Sequence, residues 1–415
     1  MEKFQSSLEY SKELDLNDKL AYLRELFYHP ENNPIYFCGH SLGLQPKAVF
    51  GYVKEVIDSW SSYGVEGHLS GNSPWFDYHK YLNSSMKNIL GAKPSEIVIM
   101  NSLTTNLHLL MVSFFNPNKE KYNIIIDKPS FPSDKYAVQS QLKFHNLDPV
   151  ANLIEIDTVE DNVCMNNDDI LYEIEKNMKN TAMILFNGVN YYSGQYYDIE
   201  SIATLARKYD CYIGLDLAHA TGNVKLDLNK WGIDFASWCG YKYLNGGPGA
   251  PSGIFVHEKH NNNNLKRFEG WWGHSRETRF DPPDKFDPLP GAEAWQLSNP
   301  PILSLAALRS SLDLFEKVGI DLLIKKSSVL TGYLEFLIKE LDNKNINIIT
   351  PSKLESRGAQ LSIHINSNIS DIENYFRSKN IICDFRKPNV IRVAPNPFYN
   401  SYQDVYNFVQ VLQKI

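Results

Sequence analysis

At 415 residues the chain is too long for a single core, and about two domains are expected. Hydrophobic residues make up 43% and charged residues 21%, an ordinary soluble balance, and a net charge of −7 argues against a nucleic-acid footprint. The cysteines (Cys38, Cys164, Cys211, Cys239 and Cys383) are scattered with no CxxC pair, which disfavours a zinc site or disulfide framework and favours a reducing compartment.

The first residues have acidic side chains and no apolar run, so neither a secretory signal nor a transit peptide is expected, and no later run reaches membrane-helix length; the expected location is the cytosol. Leu16, Leu20, Leu23 and Leu26 recur at roughly helical spacing, so residues 7–28 read as one or two surface helices. Tyr36-Phe37-Cys38 reads as a short strand entering the turn Gly39-His40-Ser41-Leu42-Gly43, with Pro46 as the first residue of the next helix. Residues 63–75 are rich in glycine, serine and aromatics, contain His68, and read as a loop. Glu96 to Met100 is an apolar strand. Asn101 or Ser102 then caps a helix to about Phe115, whose first-turn N–H groups and Thr104 hydroxyl suit an anion. Tyr122 to Ile126 is a buried strand ending at Asp127, followed by Phe131-Pro132-Ser133-Asp134, by itself a turn. Ala182 to Phe186 leads to Asn187 and a helix through Lys208; Tyr212 to Leu215 then delivers Asp216, with Ala218 and His219 just beyond. This alternation predicts a mostly parallel sheet covered on both faces, with ligand groups at strand carboxyl ends, where Asn187 and Asp216 fall.

The stretch from Ser237 to Val256 sets Lys242 between Tyr241 and Tyr243, ahead of a loop dense in glycine and proline. Singly, a lysine is usually a surface residue and an aspartate after a strand a turn residue. Together they are what a pyridoxal phosphate (PLP) site needs: an amine to bond the cofactor aldehyde, and a carboxylate that keeps the pyridine nitrogen protonated. Asn261 to Asn264 reads as a solvated loop insertion. The Trp271-Trp272 pair, flanked by glycines, suggests a loop held in a site, and Ser298-Asn299-Pro300-Pro301 a rigid loop before an apolar helix from Ile302. From about Leu305 a long amphipathic helix and short β-rich pieces follow; Gln360 to Ile365 alternates like a half-exposed strand. Arg392 lies inside the apolar strand Val390-Ile391-Arg392-Val393 and needs an anion, through either a buried salt bridge or bidentate capture of a substrate carboxylate.

The motifs Asp216-Leu217-Ala218-His219-Ala220, Gly240-Tyr241-Lys242-Tyr243-Leu244-Asn245 and Phe268-Glu269-Gly270-Trp271-Trp272-Gly273-His274 resemble kynureninase, in the aminotransferase class V branch of PLP fold-type I. The resemblance covers most of the chain from about Tyr36. It implies an α/β fold, aspartate aminotransferase-like, with a mostly parallel sheet in a large domain (60–302) and a smaller α+β domain from 1–59 plus 303–415. It implies PLP contacts from Leu103, Thr104, Phe131 (stacked on the ring), Pro132, Ser133, Asp134 (beside the ring), Asn187, Asp216, His219, Tyr241 and Lys242. Trp271 and Asn299 would reach into the partner's site in a homodimer. Ser41, His68, Asn299 and Arg392 would face the substrate. His40 and Asn187 depart from the family, which usually carries Asn and Ser or Thr there. The implied reaction is hydrolysis of L-kynurenine or 3-hydroxy-L-kynurenine to anthranilate or 3-hydroxyanthranilate plus L-alanine, in tryptophan catabolism and NAD biosynthesis. Lys242 would move the Cα proton, Arg392 hold the carboxylate, and Tyr241 donate a proton. The rivals are another class V enzyme, such as a cysteine desulfurase or aminotransferase, and a pseudoenzyme that keeps the fold as a dimeric binding protein.

Overall fold

A computed structural model describes residues 4–261, 265–281, 284–366 and 371–415. Most of the asparagine run, Asn262 to Asn264, lies outside the described residues. Seven strands form the main sheet: β1 (Ile97–Ile99), β2 (Asn123–Lys128), β3 (Leu153–Asp157), β4 (Thr181–Asn187), β5 (Tyr212–Asp216), β6 (Phe235–Trp238) and β7 (Gly253–Val256). Their order is β1-β7-β6-β5-β4-β2-β3. All pairings from β6 to β3 are parallel, and β7 alone runs against its neighbours.

The strands read as apolar runs because both faces are buried. Ile125, Ile184, Phe186, Ile213 and Leu215 face one core, while Ile124, Ile126, Met183, Leu185 and Ile254 face the other. The period of two thus splits each run between two helical layers. Gly214, inside β5, is required by close approach: a Cβ there would overlap the ring of Phe235 on β6.

A second sheet contains β8 (Ile346–Ile348), β9 (Leu361–Ile365), β10 (Asp384–Arg386) and β11 (Val390–Val393), ordered β8-β9-β11-β10 and antiparallel throughout. Helices Ile320–Glu340 and Tyr402–Leu412 supply Tyr333, Leu337, Phe408 and Leu412 to its core. Two N-terminal pieces belong to this unit. In helix Leu8–Asn17, Tyr10 joins the core and Asp15 accepts hydrogen bonds from the backbone N–H groups of Tyr402 (2.7 Å) and Gln403 (3.1 Å). Ile35–Tyr36 pairs in parallel with Ile381–Ile382.

The expected cuts at 59/60 and 302/303 both fall on helices that contribute to a core of the large sheet. Helix Val49–Tyr63 runs through the first cut and packs on helix Ile302–Val318. Leu23, Phe27, Val56, Leu305 and Leu312 all join the core of the large sheet. The inward apolar faces of these helices thus cover the large sheet's core. Pro46 likewise precedes its helix rather than opening it, since the helix begins at Val49.

Candidate active site

The carboxyl ends of β1, β2, β4, β5 and β6 meet at one edge of the main sheet, and because β7 runs backwards, the β6–β7 connection stays at that edge. This connection carries Lys242. Around it lies a cavity of about 150 Å³ lined by Leu103, Thr104, Phe131, Ser133, Asn187, Asp216, His219, Tyr241 and Lys242, together with Ser102, Tyr191, Ala218 and Cys239. Leu103 opens helix Leu103–Phe114, and Phe131 caps helix Pro132–Phe144 with Pro132 at its first position. The Thr104 and Ser133 hydroxyls lie 2.7 Å apart, joining the two helix starts.

Lys242 Nζ lies 3.1 Å from His219 Nε2 and 5.8 Å from the centre of the Phe131 ring. Burial, then the positive charges of Lys242 and Arg392, holds His219 well below its usual pKa, so the imidazole is neutral and can accept from the lysine. Asp216 is buried, and its Oδ1 accepts the Ala218 N–H at 2.7 Å. Behind it stands Asp134, buried and lined by no donor. Burial first, then the adjacent Asp216, pushes Asp134 far above the usual carboxylate range. Asp134 therefore favours its protonated form beside Asp216. Burial also raises the Tyr241 phenol, leaving a neutral donor at the cavity wall.

Arg392 is buried in β11; its Nε donates to Asp384 Oδ1 at 2.9 Å and its Nη1 to the Tyr191 carbonyl at 2.6 Å. The anion that the sequence required is thus Asp384, one strand away on β10. The Asn187 amide, expected to offer a donor to the cofactor, donates instead to Asp127 at 2.8 Å. His40 is fully buried, its ring centre 6.2 Å from that of His219. Its neighbour Ser41 is exposed, on a turn braced against the lysine loop by the Gly43 N–H donating to the Tyr241 carbonyl at 2.9 Å.

Trp271, Asn299 and His68 stand apart from the cavity. Trp271 is 47% exposed, with its Nε1 donating to the Arg279 carbonyl at 2.7 Å. Asn299 is exposed, and His68 packs edge-on to Trp75. Sequence reasoning gave no role to Asp127, Asn190, Tyr191 or Asp384. Tyr191 lines the cavity 5.4 Å from the Phe131 ring centre, and a polar residue following a strand end was the only local signal for Asp127.

Two features fit PLP without further adjustment. Helix Leu103–Phe114 begins with no side-chain cap on its N–H groups, the arrangement that receives a phosphate. The Asp134–Asp216 pair, orphaned on the Asp134 side, matches a protonated ring nitrogen.

Comparisons with known proteins agree. The family described as "Kynureninase C-terminal domain" matches residues 323–412. Kynureninase of Flavobacterium psychrophilum is 46% identical over 418 residues, covering 99% of this chain and 98% of that protein. Kynureninase of Myxococcus xanthus is 46% identical over 415 residues, covering 99% and 97%. Among solved structures, a C-DES variant with glycine covalently linked to its PLP cofactor superposes with a TM-score of 0.78 at 14% identity, covering 94% of this chain and 99% of that one. A cysteine desulfurase from Thermococcus onnurineus NA1 gives 0.74 at 17% identity, covering 100% and 99%. These distant neighbours establish the fold; the close relatives establish that the chain belongs to the kynureninase family of PLP enzymes.

Proposed function

We propose that the chain hydrolyses L-kynurenine, 3-hydroxy-L-kynurenine or both, releasing L-alanine and the aryl acid. The observation that carries this reading is the gathering of Lys242, His219, the Asp134–Asp216 pair and Tyr241 at one cavity, with Arg392 bonded to the Tyr191 of its wall. Bound PLP supplies an electron sink for the bonds at the substrate's α-carbon. Helix Leu103–Phe114 and the Thr104 and Ser133 hydroxyls would hold its phosphate, Phe131 would cover its ring, and Asp216 with Asp134 would hold its ring nitrogen. Lys242 would bond its aldehyde and, once displaced by substrate, remove the proton from the substrate's α-carbon, with neutral His219 placed to accept a hydrogen bond from the amine. Arg392 would fix the α-carboxylate, giving up part of its contact with Asp384. Tyr241 would donate a proton to the β-carbon left behind when water adds at Cγ and the Cβ–Cγ bond breaks, releasing the aryl acid. Prior positioning of these groups accounts for much of the rate.

A homodimer is part of the proposal. Exposed Trp60 and Leu303 line a 440 Å³ cleft with Val56, Trp75 and residues 301–304, and Phe50, Val65 and Leu69 are exposed as well. An apolar surface of this kind calls for a partner. His68 and Asn299 are its sequence neighbours, and Trp271 is exposed as well, which supports a site completed by the second subunit. A monomer retaining full activity in sedimentation would sink that part. No helix among the described residues is long and apolar enough to cross a membrane. We place the enzyme in the cytoplasm, in tryptophan catabolism leading toward NAD. The deciding experiment measures L-alanine released from each substrate by the PLP-loaded protein beside Lys242→Ala. Alanine from the wild type alone is expected; sulfur released from cysteine, with no alanine from either substrate, would overturn the reading.

A further inference from the structure

Asp127, the penultimate residue of β2, has no exposed surface and lines no part of the cavity. Its Oδ1 accepts from the Asn187 backbone N–H at 3.1 Å and the Asn187 amide at 2.8 Å. Its Oδ2 accepts from the Asn190 amide at 2.9 Å and the Tyr197 hydroxyl at 3.2 Å. Four converging donors suit an ionised carboxylate, which accepts on both oxygens and donates on neither.

Two of these bonds lead to functional groups. Asn187 is a wall of the cavity. Asn190 is the pivot of the following turn: its Oδ1 accepts the Tyr192 and Ser193 N–H groups, each at 3.0 Å. That turn carries Tyr191, whose ring meets Phe131 and whose carbonyl accepts from Arg392 Nη1. One buried carboxylate therefore stands behind both the cofactor wall and the acceptor that aims the arginine of the second sheet.

We propose that Asp127 is a positioning residue for substrate-carboxylate recognition, acting through the Asn190 turn and the Tyr191 carbonyl on Arg392. The proposal rests on Arg392 being the carboxylate-binding group. Asp127→Asn keeps the shape but presents an NH₂ to at least one pair of these donors, so the turn must shift.

The test measures equilibrium binding of L-alanine and of PLP to wild type, Asp127→Asn, Arg392→Lys and the double variant, with KM and kcat alongside. Asp127→Asn is expected to weaken alanine binding and raise KM by about ten- to a hundredfold, with a smaller change in kcat. In the double variant the loss should be close to that of Arg392→Lys alone, because both act on one contact. Multiplying independent losses would overturn the proposal, as would wild-type alanine binding by a folded Asp127→Asn protein. Should that variant not fold, Asn190→Ala leaves the Asp127–Asn187 bonds in place and is expected to weaken alanine binding but not PLP binding. Equal loss of both, or of neither, overturns the inference. Wild-type alanine affinity in Arg392→Lys would instead locate the failure in the reading of Arg392, and the proposal falls with it.

Discussion

Gly43→Ala tests how tightly the lysine is held. A Cβ at Gly43 would lie 2.6 Å from the Lys242 carbonyl oxygen and 2.7 Å from Asn245 Cα, where ordinary contact begins at 3.4 Å. The nearest atom of all is the side-chain Oδ1 of Asn245, which can rotate, but these two are backbone atoms and cannot swing aside. Relief of them requires the lysine loop and the 39–44 turn to separate by roughly 0.8 Å, the deficit in the closer backbone contact. Overpacking of this size costs about 1–3 kcal/mol in stability. A displacement approaching 1 Å at the reacting amine costs about a hundredfold in turnover. The assay is kcat for alanine release, with a thermal melt and visible absorbance of bound PLP to show that the protein is folded and loaded. A folded, PLP-loaded Gly43→Ala enzyme with wild-type kcat would refute the reasoning, because it would mean that the turn does not determine the position of Lys242.

The other predictions concern groups farther from the lysine. Glu293 faces His79 and Arg276, each at 3.1 Å; burial pushes its pKa up, but the His79 hydrogen bond and nearby cations outweigh this and hold it at about 2. Its stabilisation, about 3 kcal/mol from the drop below 4.5, is complete above pH 4.5 and lost as pH falls toward 2. Glu293→Gln should therefore be less stable than wild type near pH 7, with the gap closing in acid; a gap in unfolding free energy independent of pH would contradict this. Burial pushes the Cys38 and Cys211 thiols up to about 12 and Cys164 to about 11, and raises Cys239 in the cavity wall. Iodoacetamide at pH 8 should then leave alanine release unchanged over minutes, whereas rapid inactivation tracking alkylation of Cys239 would show a reactive thiol at the site.

Residues that act through local pattern were legible before the structure. The isoleucine runs of β2 and β4, the aspartate ending β5 and the lysine after β6 each carry their meaning within a few positions. What escaped depends on contacts between distant segments. Asp127 matters because β4 lies beside β2 and brings Asn187 and Asn190 to it, some sixty residues later in the chain. Asp384 matters because β10 pairs with β11 and sets it opposite Arg392. Likewise, nothing in residues 49–63 reveals that helix Ile302–Val318 covers them. Even the raised pKa of Asp134 comes from its surroundings, since its sequence shows only a carboxylate, and burial first, then Asp216 at its side, favours the proton.

The segment joining Cys38 to Gly43 acts as a leash. At one end Phe37 is hydrogen-bonded to Ile382 and Ala394 of the small unit, and Cys38 forms a β-bridge with Ala394. At the other, Gly43 is bonded to the carbonyl preceding Lys242. Five residues cover at most about 18 Å when fully extended. The small unit therefore has a limit on its swing, and beyond the slack its movement pulls on the catalytic amine. If Arg392 takes a substrate carboxylate as proposed, its approach and the placement of Lys242 would be geared together by the chain itself.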